Sequence, residues 1–308
     1  MKAWSILYRG PLSSCNYGCD YCPFAKTTNT REELRDDEEK LMRFVGWVQG
    51  RQESIGVLFT PWGEALFHRA YQEAITRLSH LPNVRRVSIQ TNLAARLDWL
   101  ADCVPGKVAL WTTFHPSQTP RGKFVAQCAE LDRLGIAHSV GVVGLKDAIA
   151  DIEALRRELN PATYLWVNAY KRQANYYSAD DLARLERVDS LFPLNNRYHS
   201  SLDDGCRAGA SVFSVDGEGT MRRCHFIRLP IGNIYDLSFE SALRERPCTN
   251  EVCGCHIGYV HLDRLDLYQT FGEGVLERIP RQDDYSSVRR TTTENALDVP
   301  LPPRLICT

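Results

Sequence analysis

The sequence predicts an α/β protein built around a parallel sheet, followed by a smaller cysteine-rich region. Runs of β-branched and aromatic residues recur about every 30 residues, and each is followed by a stretch with helical periodicity. Most of these runs are almost continuously apolar, which is typical of parallel strands covered on both faces. After residue 192 the rhythm stops, and glycine, aspartate and cysteine become frequent.

The apolar runs predict six strands, each opening one βα unit. The expected strands are residues 3–9, 54–60, 84–91, 107–114, 137–143 and 163–169. Between the first two, Thr30 and Glu33 have the spacing of a capping box and begin a helix that ends near Gly50. Its acidic block, DDEEK, is expected to form a solvated face. Cys103 and Cys128 lie in apolar stripes and are expected to be core residues.

The later part of the chain is expected to fold differently. A helix around 179–190 ends the repeating pattern. Residues 211–224 read as a hairpin with DGEG at its turn, and 238–246 as a short helix. The expected organisation is a barrel-like domain, a cysteine-rich domain and a mobile polar tail that takes no part in catalysis, over residues 1–192, 193–279 and 280–308.

Composition and charge exclude several classes of function. The chain has 308 residues, with 37 Lys and Arg against 38 Asp and Glu, so nothing predicts general attraction to nucleic acid or to anionic lipid. No apolar run is long enough for a membrane helix, and a cytoplasmic location is expected. In that reducing compartment, 11 cysteines favour metal binding or catalysis over disulfides.

Three cysteines are concentrated directly after the first strand. Cys15, Cys19 and Cys22 form a CxxxCxxC loop at the carboxyl end of that strand, where parallel α/β sheets place their active sites. A structural zinc site would need a fourth ligand, and His68 is distant in sequence with no zinc-knuckle spacing. Three thiolates leave one iron of a 4Fe-4S cluster without a protein ligand, and that vacancy could bind a substrate.

With this spacing, and with Tyr21 just before the last cysteine, the sequence resembles the radical S-adenosylmethionine (radical SAM) superfamily. The resemblance implies a partial (β/α)6 TIM-like barrel that binds a 4Fe-4S cluster and SAM. It also implies that the open iron chelates SAM and that the reduced cluster cleaves it to methionine and a 5′-deoxyadenosyl radical. That radical would abstract hydrogen from the substrate.

The resemblance also implies which residues contact the cofactors. They are Tyr21, Gly63, Glu64, Asn92, His115 and Gly141. Gly63 and Glu64 resemble a Gly-Gly-Glu segment whose backbone accepts the methionyl ammonium, although Trp62 stands where a glycine is common. Asn92 and His115 end the third and fourth strands, where the family often presents polar groups to the SAM ribose or to substrate. His115 could equally be a structural hydrogen-bonding residue. The glycine of the fifth strand resembles one that lies against adenine.

A second set of cysteines lies in the C-terminal region: Cys206, Cys224, Cys248, Cys253 and Cys255. The first two, with Gly219 between them, resemble the start of a SPASM or twitch extension, which binds an auxiliary 4Fe-4S cluster. A full SPASM domain with two auxiliary clusters needs about seven cysteines, so one cluster is expected. The favoured ligands are Cys206, Cys224, Cys253 and Cys255, with Cys248 as the alternative. Zinc is the competing occupant.

The leading hypothesis is therefore a radical SAM enzyme that acts on an unidentified small-molecule or peptide substrate. The VNAYKRQ and CHIGYVH segments resemble an uncharacterised bacterial radical SAM family. Asn168, Tyr170 and Lys171, at the end of the sixth strand, are expected to face the place where substrate or the SAM carboxylate could sit, with ordinary loop solvation as the alternative. An electron donor such as flavodoxin or ferredoxin is the expected partner, with no membrane and no clear nucleic acid. The alternative is a non-catalytic metal-binding or electron-transfer protein with structural zinc or iron-sulfur sites. The sequence leaves the substrate and the oligomeric state open.

Overall fold

The structure, a computed structural model, describes residues 2–24 and 27–281. Six neighbouring strands pair in parallel in the order of the sequence. They are β1 (Ala3–Arg9), β2 (Ser54–Phe59), β3 (Val84–Thr91), β4 (Val108–Phe114), β5 (Ala137–Gly144) and β6 (Leu165–Ala169). Five helices connect or follow them: α1 (Arg31–Gln49), α2 (Arg69–His80), α3 (Arg121–Arg133), α4 (Ile149–Glu158) and α5 (Ala179–Val188). All six predicted strands are confirmed, with ends that differ by at most two residues.

Helix α1 begins and ends where its capping residues predict. The Thr30 hydroxyl accepts a hydrogen bond from the Glu33 backbone N–H (3.2 Å), and the Glu33 carboxylate accepts one from the Thr30 N–H (2.7 Å). The last helical residue is Gln49, and Gly50 is the C-cap. Helix α5 has the same arrangement, with Ser178 and Asp181 as the reciprocal pair.

The remaining elements are short. They are α6 (Phe192–Asn195), β7 (His199–Ser200), β8 (Val212–Asp216), β9 (Thr220–Arg222), β10 (Pro230–Asn233), β11 (Val252–Cys253), α7 (His256–Tyr259) and α8 (Leu267–Phe271). The predicted hairpin is confirmed as β8 and β9. Strand β8 pairs in parallel with β1, so the hairpin and β10 extend the main sheet to nine strands.

The predicted helix over 238–246 is wrong. Only Phe239–Ala242 forms a single 3-10 turn. Beyond it the backbone bonds to other segments: Arg244 N–H donates to Gly209 O at 3.0 Å, and the Arg246 and Pro247 carbonyls accept from Arg223. These non-local bonds take the place of the helical ones.

The sheet has two differently packed faces. Along β1, Trp4, Ile6 and Tyr8 pack among the helices, whereas Leu7 points into the barrel interior. The interior is filled by aromatic residues, with Trp111 and Trp166 prominent among them, and by C-terminal residues.

Part of that C-terminal filling closes the amino-terminal end of the barrel. The Ser139 hydroxyl donates to the Glu277 backbone carbonyl at 2.6 Å, and Arg86 pairs with the Glu277 carboxylate at 3.1 Å. In the described part of the chain, no helix has both the length and the apolar character needed to span a bilayer. The predicted mobile tail lies outside the described residues, apart from its first two positions.

Candidate active site

The CxxxCxxC loop leaves the carboxyl end of β1 and is held by backbone contacts. The Asn29 side-chain oxygen accepts hydrogen bonds from the N–H groups of Ser13 and Ser14, both at 2.8 Å. The Ser14 carbonyl in turn accepts from the Glu64 N–H at 3.1 Å. A Cβ on Gly63 would lie 1.8 Å from that same carbonyl oxygen, so only glycine lets the two segments approach so closely. Sequence reasoning missed Asn29, whose contacts depend on the folded loop.

Glu64 joins the second and third strand ends beneath the loop. Its buried carboxylate accepts from Thr91 Oγ1 at 2.8 Å, from Asn92 N–H at 2.5 Å and from Leu66 N–H at 3.1 Å. Burial raises its pKa to about 7, and these hydrogen bonds oppose the rise. The Glu64 side chain is therefore fully engaged in holding loops together. The contact of its backbone with SAM stays a prediction.

Asn92 reaches from the end of β3 to the first cysteine. Its Nδ2 donates to Asn16 Oδ1 at 2.8 Å and lies 3.9 Å from Cys15 Sγ. Its Oδ1 accepts from the Ala94 N–H at 3.0 Å, which fixes the orientation of the amide. The structure thus brings Asn92 to the loop.

His115 reaches the same loop from the end of β4. Its Nδ1 lies 2.8 Å from the Tyr21 hydroxyl and 3.4 Å from Cys19 Sγ, and the two rings are nearly parallel, with centroids 5.9 Å apart. Burial lowers the pKa of His115 to about 4, so the imidazole is neutral near pH 7. Gln118, which sequence reasoning missed, accepts from the Gly18 N–H at 3.0 Å. These contacts position the loop from its outer side.

The three thiols of the loop are near one another. Burial raises the pKa of Cys15 and of Cys19, and the neighbouring cysteines add to the rise in both cases. The Sγ atom of Cys22 lies 3.6 Å from the Phe24 carbonyl. A bound cation would favour the thiolate forms, because it offsets the repulsion that raises these pKa values.

Gly141 has a packing role inside the barrel. A Cβ at this position would lie 1.9 Å from the Trp166 ring, so the glycine leaves room for that indole. Trp166 packs edge-on against Trp111, with centroids 5.6 Å apart. The contact of Gly141 with adenine stays a prediction.

Lys171 lies between the barrel and the second set of cysteines. Its Nζ donates to Gly254 O at 2.6 Å and to Arg197 O at 3.0 Å. The ammonium group therefore holds the Cys253–Cys255 segment against the end of β6. These bonds give Lys171 a positioning role, and its contact with substrate or the SAM carboxylate stays a prediction.

Four of the second set of cysteines line one small cavity: Cys206, Cys224, Cys248 and Cys253. Cys255 is not among its lining residues. It lies near Arg9, where it opposes the lowering of the arginine pKa by burial, and near Tyr259 and Cys253, where it adds to the rise of their pKa values. The set that faces the cavity therefore contains the alternative, Cys248, in place of Cys255. Spacing along the chain could not show this, because it depends on the direction in which each thiol points.

Arg223 connects the segments that carry these cysteines, and sequence reasoning missed it. The side chain is buried and donates to the carbonyls of Ala208 (3.1 Å), Arg246 (2.7 Å) and Pro247. It immediately precedes Cys224. Burial raises the pKa of Cys206, and the Arg223 charge opposes that rise. A buried cation beside four thiols makes the cavity suitable for an anionic group.

Among residues 2–24 and 27–281, no three Cys, His, Asp or Glu side chains are arranged to hold one metal ion. A cubane cluster binds each thiolate at a different iron, so its ligands surround a volume and do not converge on a single atom. The chemistry of both donor sets fits such a cluster. The ligand roles of the eight cysteines stay predictions.

Comparison with solved structures identifies the fold. Native anSMEcpe with bound AdoMet aligns with a TM-score of 0.51 at 15% identity, covering 76% of this chain and 79% of that chain. The same protein with AdoMet and the Cp18Cys peptide aligns with a TM-score of 0.49 at 15% sequence identity, covering 77% of this chain and 78% of that chain. BtrN in complex with AdoMet and 2-DOIA aligns with a TM-score of 0.35 at 17% sequence identity, covering 78% of this chain and 85% of that chain.

No family model and no curated protein matches the sequence. The likeness to the first of these structures confirms the predicted fold, a partial TIM-like barrel.

Proposed function

We propose that this chain is a radical SAM enzyme that generates a 5′-deoxyadenosyl radical and uses it to abstract hydrogen from a small-molecule or peptide substrate. One observation carries the proposal. The CxxxCxxC loop lies at the carboxyl end of a partial barrel, where Asn92 and His115 reach its first and second cysteines from two further strands. In parallel α/β barrels this is the end at which active sites form.

Cys15, Cys19 and Cys22 would hold a 4Fe-4S cluster and leave one iron for SAM. When bound and reduced, the cluster supplies the electron that cleaves SAM. Gly63 keeps the loop in contact with the end of β2, because any side chain there would meet the Ser14 carbonyl. The order of this loop is what positions the reactants, and positioning is the main contribution that a protein makes to radical chemistry.

His115 and Tyr21 shield the loop on its outer side. The neutral imidazole shares a hydrogen bond with the Tyr21 hydroxyl through Nδ1 and stacks against its ring, so the imidazole carries no charge that would attract water. A dry site protects a reactive radical from side reactions. These residues therefore support the chemistry without transferring a proton.

Cys206, Cys224, Cys248 and Cys253 would hold one auxiliary 4Fe-4S cluster. Four thiolates occupy all four irons, so this cluster would accept an electron from the substrate radical and would not bind substrate directly. Arg223 supports this assignment, because its buried charge offsets part of the negative charge of a thiolate-bound cluster. A flavodoxin or ferredoxin would supply electrons to the system.

The test is reductive cleavage of SAM by anaerobically reconstituted protein. With dithionite and SAM, we expect the wild type to release 5′-deoxyadenosine, measured by liquid chromatography and mass spectrometry. Replacing Cys15, Cys19 and Cys22 together with Ala should abolish the product. Cys103→Ala, at a buried position in contact with Thr76, is the control and should retain it. Product formation by the triple variant, or its absence from iron-loaded wild type, would contradict the proposal. The second outcome would leave the electron-transfer alternative.

A further inference from the structure

Arg9 is a basic residue inside the barrel mouth with no acidic partner. It ends β1 on the same face as Leu7, which points into the barrel interior. Its guanidinium carbon lies 4.0 Å from the Trp62 ring centroid, and its Nε donates to the Thr60 carbonyl at 2.7 Å. In the described part of the chain, no carboxylate lies within ion-pairing distance of Arg9. Burial lowers its pKa to about 10, which leaves it charged near pH 7.

The surroundings of Arg9 connect both sets of cysteines. Trp62 contacts Phe24, two residues after Cys22, with ring centroids 5.0 Å apart. Thr60 Oγ1 lies 2.8 Å from Nε2 of His225, the residue after Cys224. Cys255, which belongs to the second set of cysteines, lies close enough to Arg9 to raise its pKa. Arg9 therefore lies between the loop proposed to bind SAM and the cavity proposed to bind the auxiliary cluster.

Among the described residues, Cys255 is the acidic group that acts on the guanidinium, and no carboxylate pairs with it. Trp62 and the Thr60 carbonyl stabilise a cation but carry no negative charge. A partly buried, unpaired arginine is costly, and its cost is offset when an anion binds.

We propose that Arg9 binds an oxyanion of the substrate, a carboxylate or a phosphate. The inference rests on the proposed function, because it takes the space between the two cysteine sets as the substrate site. Because Nε already donates to the Thr60 carbonyl, the two terminal nitrogens of the guanidinium would donate to the oxyanion. The Trp62 ring would keep the plane of the guanidinium in a fixed orientation. Such contacts are charge-assisted and directional. The substrate is thus an acid or a phosphate ester.

The experiment measures binding of simple oxyanions to the reconstituted holoenzyme. Inorganic phosphate and succinate are titrated by calorimetry at constant ionic strength, and SAM is titrated in parallel. We expect one of the two oxyanions to bind the wild type, phosphate indicating a phosphate ester and succinate a carboxylic acid. Arg9→Gln should weaken that binding by about tenfold or more, and Arg9→Lys by less.

Arg43→Gln is the matched control. Arg43 also lies over an aromatic ring, at 3.6 Å from the Tyr235 centroid, but it is exposed on α1, and its loss should leave oxyanion binding unchanged. Iron content shows that each variant is folded and loaded.

Three outcomes would overturn the proposal: no binding of either oxyanion to the wild type, equal binding by Arg9→Gln, or a loss in Arg9→Gln confined to SAM. The last would assign Arg9 to the cofactor carboxylate. Release of 5′-deoxyadenosine by the same wild-type preparation, measured without added oxyanion, tests the proposed function separately.

Discussion

The direction of a single thiol decides which cysteines can share a metal centre. Cys253 and Cys255 are separated by one residue, yet Cys253 lines the cavity and Cys255 lies towards Arg9. Cys253 is the last residue of β11, whereas Cys255 is the N-cap residue of α7, so the two cysteines belong to different elements. Cys248 lines the cavity directly after the segment whose carbonyls bind Arg223.

These positions predict different effects of removing Cys248 and Cys255. Cys248→Ala should lower the iron content of anaerobically reconstituted protein from about eight to about four atoms per chain, because the auxiliary cluster loses a ligand. Cys255→Ala is the control and should keep about eight. The measurement is iron analysis with electron paramagnetic resonance of the reduced protein. Loss of iron in Cys255→Ala with retention in Cys248→Ala would restore the set that the sequence favoured.

At the scale of the element, helix α1 has a buried acidic residue within a block that reads as solvated. Asp37 is buried, and its Oδ1 accepts from Leu12 N–H at 3.3 Å and from the Tyr71 hydroxyl at 3.2 Å. It thus ties α1 to α2 and to the start of the cysteine loop. Burial raises the pKa of Asp37 to about 6.

The raised pKa predicts a pH dependence of stability. Between about pH 4 and pH 6 the folded state keeps a proton on Asp37 that the unfolded chain has lost, so the free energy of unfolding falls as pH rises through this window. Asp37→Asn removes this effect. Its stability relative to wild type should increase by about 1 kcal/mol between pH 5 and pH 7, measured by urea unfolding.

Asp36→Asn is the control for this experiment. Asp36 belongs to the same acidic block but is exposed and pairs with Lys40 at 2.6 Å. The stability of Asp36→Asn relative to wild type should change much less than that of Asp37→Asn over the same range, because Asp36 makes only a lesser contribution to the raised pKa of Asp37. A constant difference for Asp37→Asn would show that Asp37 does not titrate in this window.

The elements that the sequence predicts well are those with local signals. Six apolar runs predict the six strands, and one capping box predicts the start of α1. Both signals are local, because burial on both faces and reciprocal capping each require particular residue types within a few positions of one another. The helix over 238–246 failed because non-local bonds to Gly209 and Arg223 replace its helical ones. Asp37 was unpredictable for a similar reason: its partners come from Leu12 and Tyr71, on other segments.

At the scale of the whole molecule, the site depends on how the C-terminal region completes the barrel. The hairpin of β8 and β9 lengthens the sheet at β1, and Lys171 binds the Gly254 carbonyl across to β6. The region thus contacts strands at both edges of the six-stranded unit. Local sequence patterns do not encode these contacts, although the CxxxCxxC loop that they help to enclose was evident from spacing alone.

The closed end of the barrel gives the last prediction. The Glu277 carboxylate is 1% exposed and has two partners, Arg86 at 3.1 Å and the Ser88 hydroxyl at 3.3 Å. Burial raises its pKa, and Arg86 opposes the rise, so the arginine favours the ionised form. Removing Arg86 would leave the buried carboxylate without the side chain that forms an ion pair with it. Arg86→Met should therefore lower the free energy of unfolding by about 3 kcal/mol, measured with urea at pH 7.

A second substitution separates this electrostatic cost from lost packing. If the unpaired carboxylate is the cause, Glu277→Gln should recover most of the stability in the Arg86→Met background, because the neutral amide needs no counter-charge. In the wild type the same substitution should be destabilising. Equal effects of Glu277→Gln in both backgrounds would mean that the two side chains act independently. Because Glu277 also holds Ser139 through its backbone carbonyl, the same pair fixes the C-terminal segment against two strands. The closed floor of the barrel would then depend on an ion pair located away from the cysteine loop.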